Sequence, residues 1–163
     1  MSRIEHRRII KADPEAVFDF LAERTNAPKI VPHLEKVWEI KPATAGVGQT
    51  WRWAYKLFGL AFEGTAEMIE FSPGHRLQFT TRGKLRSTWT YAVDRVPNAG
   101  GSEVTVAVSH DIPDTLLGKV ADRVALSKLG ETSTQQILEN LAEQFAEKPG
   151  KPAKPAKPAK PAK

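Results

Sequence analysis

Four histidines, His6, His33, His75 and His110, are the first place to look for chemistry, and each stands at least 27 positions from the next. No His-Glu-x-x-His or His-x-His spacing joins them. A metal site would need the fold to gather them, so structural or surface roles are the default reading. There is no cysteine, which removes a thiolate nucleophile, a disulfide framework and Cys-ligated zinc. Glu63 and Glu67 share a strand face, but four residues of strand span ~13 Å. Paired glycosidase carboxylates sit ~5–9.5 Å apart, so these two read as a solvated face. No Gly-x-Ser-x-Gly elbow is present. Gly46-Val-Gly48 lacks the third glycine and the βαβ unit of a dinucleotide loop and reads as a turn. No catalytic residue, metal or cofactor is assigned.

The positive signal is aromatic. Nine of the 13 aromatic residues fall between Gln49 and Asp111, in segments whose apolar residues recur at every second position. Trp51, Trp53, Phe62, Phe79, Trp89 and Tyr91 come from consecutive expected strands. On a concave face they would line an apolar space with indole N–H and phenol O–H groups as polar handles. Ordinary core packing is the alternative. His110 completes the set of candidate ligand-binding residues. If a proton is moved, His110, His33 and Tyr91 are the candidate groups. Arg52, Arg82 and Arg86 either orient an anionic group at the rim or are exposed strand arginines.

The elements that must position these residues follow from periodicity and punctuation. Arg3 to Lys11 reads as a first strand. Asp13-Pro14-Glu15 then opens a helix, with Asp13 as N-cap, Pro14 in the first turn and Glu15 at the positive dipole end. Pro28 and Pro32 permit only a short, broken second helix over about 26–34. Glu35 to Lys41 alternates Val37 and Glu39 against Trp38 and Ile40. Trp51, Trp53, Tyr55 and Leu57 share a strand face, Gly59 marks a hairpin, and Leu60 to Phe71 is a long strand. Leu77 and Phe79 define the next. Leu85, Ser87, Trp89, Tyr91 and Val93 share a face of the one after, and Val104, Val106, Val108 and His110 close the meander. Pro113 to Ala146 reads as helix. Its small, polar middle, Gly130 to Ser133, marks a close approach to the sheet, room for a ligand, or a kink between two shorter helices.

Composition bounds the rest. The 163 residues, 40% hydrophobic, suit one domain with its own core over 1–147. The net charge of +5 is misleading. Six of the 24 basic residues are the lysines at 148, 151, 154, 157, 160 and 163, which leaves 18 basic against 19 acidic in the remainder. That remainder lacks the basic excess of a nucleic-acid-binding domain. Five of the 12 prolines also fall in 148–163, so this segment reads as a disordered tail of polyproline character. It is either a weak polyanion contact or a solubilising extension. The N-terminus has no apolar leader and no run approaches the ~20 residues of a spanning helix. The expectation is a cytoplasmic protein.

Asp13-Pro14-Glu15-Ala16-Val17-Phe18-Asp19-Phe20-Leu21 after a first strand resembles the opening of the START-like, or SRPBCC, superfamily. That superfamily includes polyketide cyclase/dehydrase-like and birch-pollen-allergen-like proteins. Gly46 to Trp51, Glu67 to Phe79 and Gly101 to Val106 are similar to its strand and turn pattern, over residues 3 to 146 in all. The resemblance implies an α+β helix-grip fold: a curved antiparallel sheet wrapped around a long C-terminal helix, with two short helices after the first strand. It also implies a hydrophobic cavity for lipids, polyketides or aromatic compounds. Three readings of function remain open. The first is a binder or carrier of an apolar small molecule. The second is a polyketide cyclase/dehydrase-type enzyme. The third is an adaptor whose basic tail meets nucleic acid or an acidic partner. Inward polar groups favour the enzyme, a purely apolar cavity the binder, and a filled core the adaptor.

Overall fold

The computed structural model describes residues 2–57, 59–83, 86–97, 100–111 and 123–146. Leu85, residues 112–122 of the expected long helix and the tail 148–163 lie outside them.

The alternating segments become seven strands: β1 (Ser2–Ile10), β2 (Leu34–Lys41), β3 (Thr50–Leu57), β4 (Leu60–Ser72), β5 (Arg76–Gly83), β6 (Arg86–Val96) and β7 (Gly101–Asp111). They form one antiparallel sheet in the order β1-β7-β6-β5-β4-β3-β2. From β2 to β7 each strand pairs with its neighbour in sequence. β1 closes the far edge by pairing with β7.

Helix α1 (Pro14–Ala22) starts as its residues require. The Asp13 carboxylate accepts from the Glu15 amide at 3.1 Å, which satisfies one of the orphan N–H groups of the first turn. Val17, Phe18 and Leu21 are buried. The expected broken helix over 26–34 resolves into a 3₁₀ turn, Arg24–Asn26, and a single-turn α2 (Ala27–Ile30). It stops at Val31, which is extended, because the residue before a proline, here Pro32, is disfavoured in the helical region.

Strand β2 departs from simple alternation. Glu39 has φ 53, and the register with β3 shifts between Trp38 and Lys41. The extra residue re-aims the side chains. Glu39 therefore does not share the face of Val37. It lies with Trp38, near Arg52: the carboxylate is 3.8 Å from the guanidinium, which sits 5.4 Å from the Trp38 ring. Ile40 turns back to pack on the core.

Helix α3 (Arg123–Gln144) runs unbroken through Gly130–Ser133, so the small residues mark close approach rather than a kink. Thr134 is fully buried and Ser133 nearly so. The Thr134 hydroxyl donates to the Glu131 carbonyl at 3.0 Å and lies 2.7 Å from His6 Nδ1 on β1. The Ser133 side chain hydrogen-bonds Tyr55 on β3. The helix thus spans the sheet from β1 to β3. Asn140 donates to the Ile30 carbonyl at 2.9 Å, and Phe145 meets Phe20 edge-on at 5.7 Å. This is the helix-grip architecture: a curved antiparallel sheet, a C-terminal helix against it and short helices after the first strand.

Candidate functional site

Pleating places Trp51 and Trp53 of β3, Phe79 of β5, Trp89 and Tyr91 of β6 and His110 of β7 on the inner face. Together they line an internal space of about 70 Å³. Register explains why they meet. Phe79 faces Trp89 directly, Leu77 faces Tyr91, and Ser87 faces His110. Phe79 is the hub. It contacts Trp51 edge-on at 5.1 Å and stacks with Trp89 at 6.5 Å and with Tyr91 at 6.2 Å. His110 stands edge-on to Trp89 at 6.3 Å. Ala27, Val31, Leu34 and Val37 complete the apolar wall from the α2 side.

Six of the seven residues singled out from the sequence therefore line one space, and Phe62 does not. It packs in the core opposite Tyr55, which takes the place on the wall. Tyr55 went unassigned because strand alternation alone does not say which inward aromatics border a void. Two of the three indole handles are already taken: Trp53 Nε1 donates to the Thr65 carbonyl at 2.9 Å, and Trp89 Nε1 to Ser87 Oγ at 2.9 Å. Gly64 makes room for the first of these. It faces Trp53 across the β3–β4 ladder, and a Cβ there would strike the Arg82 carbonyl and the Trp53 ring.

The three strand arginines take the exposed alternative rather than the rim one. Arg52 pairs at 3.8 Å with Glu39 and with Glu63, and Arg82 at 4.0 Å with Glu67. Arg86 is exposed on β6. None of the three lines the cavity, and the solvated-face reading of Glu63 and Glu67 stands. The arginine that does line it is Arg24, in the 3₁₀ turn. It is only 3% exposed, with its guanidinium 5.0 Å from the Phe79 ring centre and 5.3 Å from that of Trp51. Among the described residues its Nη2 donates to the Leu21 carbonyl alone, and its buried Nε finds no acceptor there. A sequence signal existed only in retrospect: a cation directly after an apolar helix that must be buried.

Burial sets the protonation states. It pushes the Tyr91 phenol up to about 12, and the nearby Arg24 charge offsets only part of this. Burial likewise pushes the His110 imidazole below its ordinary value and Arg24 below its own. At neutral pH the wall therefore presents a phenolic donor, an uncharged imidazole and one cation. His33 has its ring 6.0 Å from Tyr55 and does not line the space. Among the described residues, no three His, Asp or Glu side chains gather as a metal group would require.

The family described as "Polyketide cyclase / dehydrase and lipid transport" matches residues 1–146. The chain belongs to that family. No curated protein matches it significantly. Among solved structures, TTHA0849 from Thermus thermophilus is 21% identical with a TM-score of 0.72, covering 88% of this chain and 97% of that one. The Zhui aromatase/cyclase from Streptomyces sp. R1128 is 16% identical with a TM-score of 0.71, covering 88% and 93%. Major latex-like protein 151 from Panax ginseng is 14% identical with a TM-score of 0.65, covering 90% and 98%. At these identities the likeness shows the fold that this family member shares. Among its described residues, no helix is long and apolar enough to cross a membrane.

Proposed function

We propose that this family member binds or carries an apolar small molecule in the space between the α2 segment and the inner face of the sheet. The observation that carries this is the wall itself. Phe79 and the three aromatic rings around it border an opening that they do not fill. Concave, mostly apolar sites with a few convergent polar groups are what small-molecule binding uses. An environment-sensitive apolar dye is expected to bind the native protein with micromolar affinity, ~−8 kcal/mol, and to alter tryptophan fluorescence. Native mass spectrometry of the purified protein is expected to show a co-purifying compound. A dye that binds only once unfolding has begun would overturn the reading.

The second reading is a cyclase/dehydrase-type activity. The cavity is not purely apolar, and the inward Tyr91 hydroxyl, His110 and Arg24 favour it. A protonated phenol beside a guanidinium is suited to stabilising a developing enolate oxygen. Incubation with a poly-β-keto thioester tests this: cyclised product from the wild type and much less from Tyr91→Phe supports it, and product at the buffer rate sinks it.

The tail 148–163 is a separate unit in this proposal. Its lysines recur at every third residue, the period of a polyproline II turn. Lysines at that spacing on such a turn would give a charged stripe able to contact polyanions without reading sequence.

A further inference from the structure

Arg24 is a cation in a place where a cation is costly. Its guanidinium carries five N–H donors, and among the described residues a single one is used, on the Leu21 carbonyl. Neither the buried Nε nor Nη1 makes a hydrogen bond to any described residue. No carboxylate of the described residues lies within ion-pair distance of it. The neighbouring Glu23 accepts from the Thr25 hydroxyl at 2.9 Å and the Thr25 amide at 3.3 Å, so its charge reaches Arg24 only through space and without an ion-pair contact. The rings of Trp51 and Phe79 lie near the guanidinium and compensate part of the lost hydration, but a ring face is a far weaker acceptor for N–H than an oxygen. A buried charge left unpaired is a strongly unfavourable arrangement.

A second donor waits beside it. Tyr91 is 1% exposed, sits close enough to Arg24 to feel its charge, and makes no hydrogen bond to any described residue. Among the described residues lining the cavity, Arg24 is the one formal charge, since His110 is held in its neutral form by burial. Among the described lining residues the site thus has spare donors, one positive charge and no anion. The rest of the wall is mostly aromatic and aliphatic, its Thr81 and Ser87 hydroxyls lie 2.7 Å apart in a hydrogen bond with each other, and the space is small.

We infer that Arg24 and Tyr91 form a carboxylate-binding subsite, and that the cavity's ligand is a compact aromatic acid. The ring lies among Trp51, Phe79 and Trp89, and the carboxylate accepts from the guanidinium and the phenol. One negative charge neutralises the one positive charge, whereas a dianionic phosphate would leave an excess in an apolar enclosure. This inference rests on the apolar-binding reading above and adds the ligand's charged group to it.

The test uses the full chain at pH 7 and two molecules of one shape, cinnamate and cinnamamide, measured by calorimetry alongside the apolar dye. Cinnamate is expected to bind more tightly than the amide by on the order of tenfold or more, the usual size of a charge-assisted hydrogen bond. Arg24→Met is expected to abolish that preference while still binding the amide and the dye. Tyr91→Phe, which keeps the ring and the fold, is expected to reduce the preference in the same direction. Cinnamate and cinnamamide binding equally to the wild type would overturn the subsite and leave the apolar-binding reading standing. So would dye binding with no binding of either cinnamic compound. Failure of all three to bind would overturn both. Should Arg24→Met not fold, the wild-type comparison and Tyr91→Phe decide the matter without it.

Discussion

Trp89 separates the two uses an inner-face aromatic can have. It is partly exposed, stacks on Phe79 and lines the cavity, so truncating it enlarges a space that is already there. Trp89→Ala is expected to cost ~1–2 kcal/mol of stability by denaturant titration, below the ~3–5 kcal/mol of a packed aromatic, and to lower dye affinity about tenfold. A larger stability loss with unchanged affinity would make Trp89 plain core. His110 offers a pH-dependent check. Its folded-state pKa is depressed by burial, so on acidification the unfolded chain takes up its proton first, near pH 6.5. Stability should be complete above about pH 6.5 and fall as the pH drops below it toward the folded value, and His110→Asn should flatten that slope. A wild-type slope that persists in the variant would assign the effect elsewhere. At this scale the sequence was informative about aromatics and poor about charge. Trp51, Trp53, Phe79, Trp89, Tyr91 and His110 sit on strands whose alternation marks the inner face. Arg24 lies in a 3₁₀ turn, where no period tells inward from outward. Phe62 has the same period as Tyr55, and only the position of the void tells them apart.

Elements were legible wherever local chemistry and tertiary packing agree. The Asp13-Pro14-Glu15 cap fixes the start of α1, and Pro32 fixes the end of α2. The β2 bulge was hidden because Glu39 takes a left-handed conformation that its residue type does not advertise. The α3 question, kink or approach, could not be answered from Gly130–Ser133 alone. The answer lies in partners more than 70 residues away, Tyr55 and His6. The β3–β4 ladder carries its own prediction. Gly64 has Trp53 and the Arg82 carbonyl where a methyl group would go, so the strand has no slack there. Gly64→Ala is expected to cost ~1–3 kcal/mol, as overpacking does, and to weaken the Trp53–Thr65 hydrogen bond, read as a shift in the Trp53 indole N–H resonance. A stability change within ~0.5 kcal/mol would show that the ladder yields.

The two proposed units of the chain, 1–147 and 148–163, make separable claims. A chain ending at Glu147 is expected to lose all binding to DNA, RNA and anionic vesicles at low salt, while the full chain binds weakly and releases steeply as salt rises. Cavity binding should be the same in both, and identical polyanion behaviour of the two would remove the tail's role. Whether the molecule encloses a void was the least legible property of all, because it depends on how far the sheet curves and how closely α3 approaches it. The strand order has a further consequence, for the way the molecule comes into being. Strands β2 to β7 are successive hairpins and can zip as synthesis delivers them. The first strand, by contrast, must wait for the last, since Ser2 pairs with His110. The helix that covers the sheet is made later still, and its Thr134 meets His6 across 128 positions. Until that helix arrives, His6 and Tyr55 lack the Thr134 and Ser133 side chains that meet them in the finished fold. A fold of such long-range closure is slow to complete, so an aromatic acid present during synthesis would find its binding wall in place before the last helix seals the core.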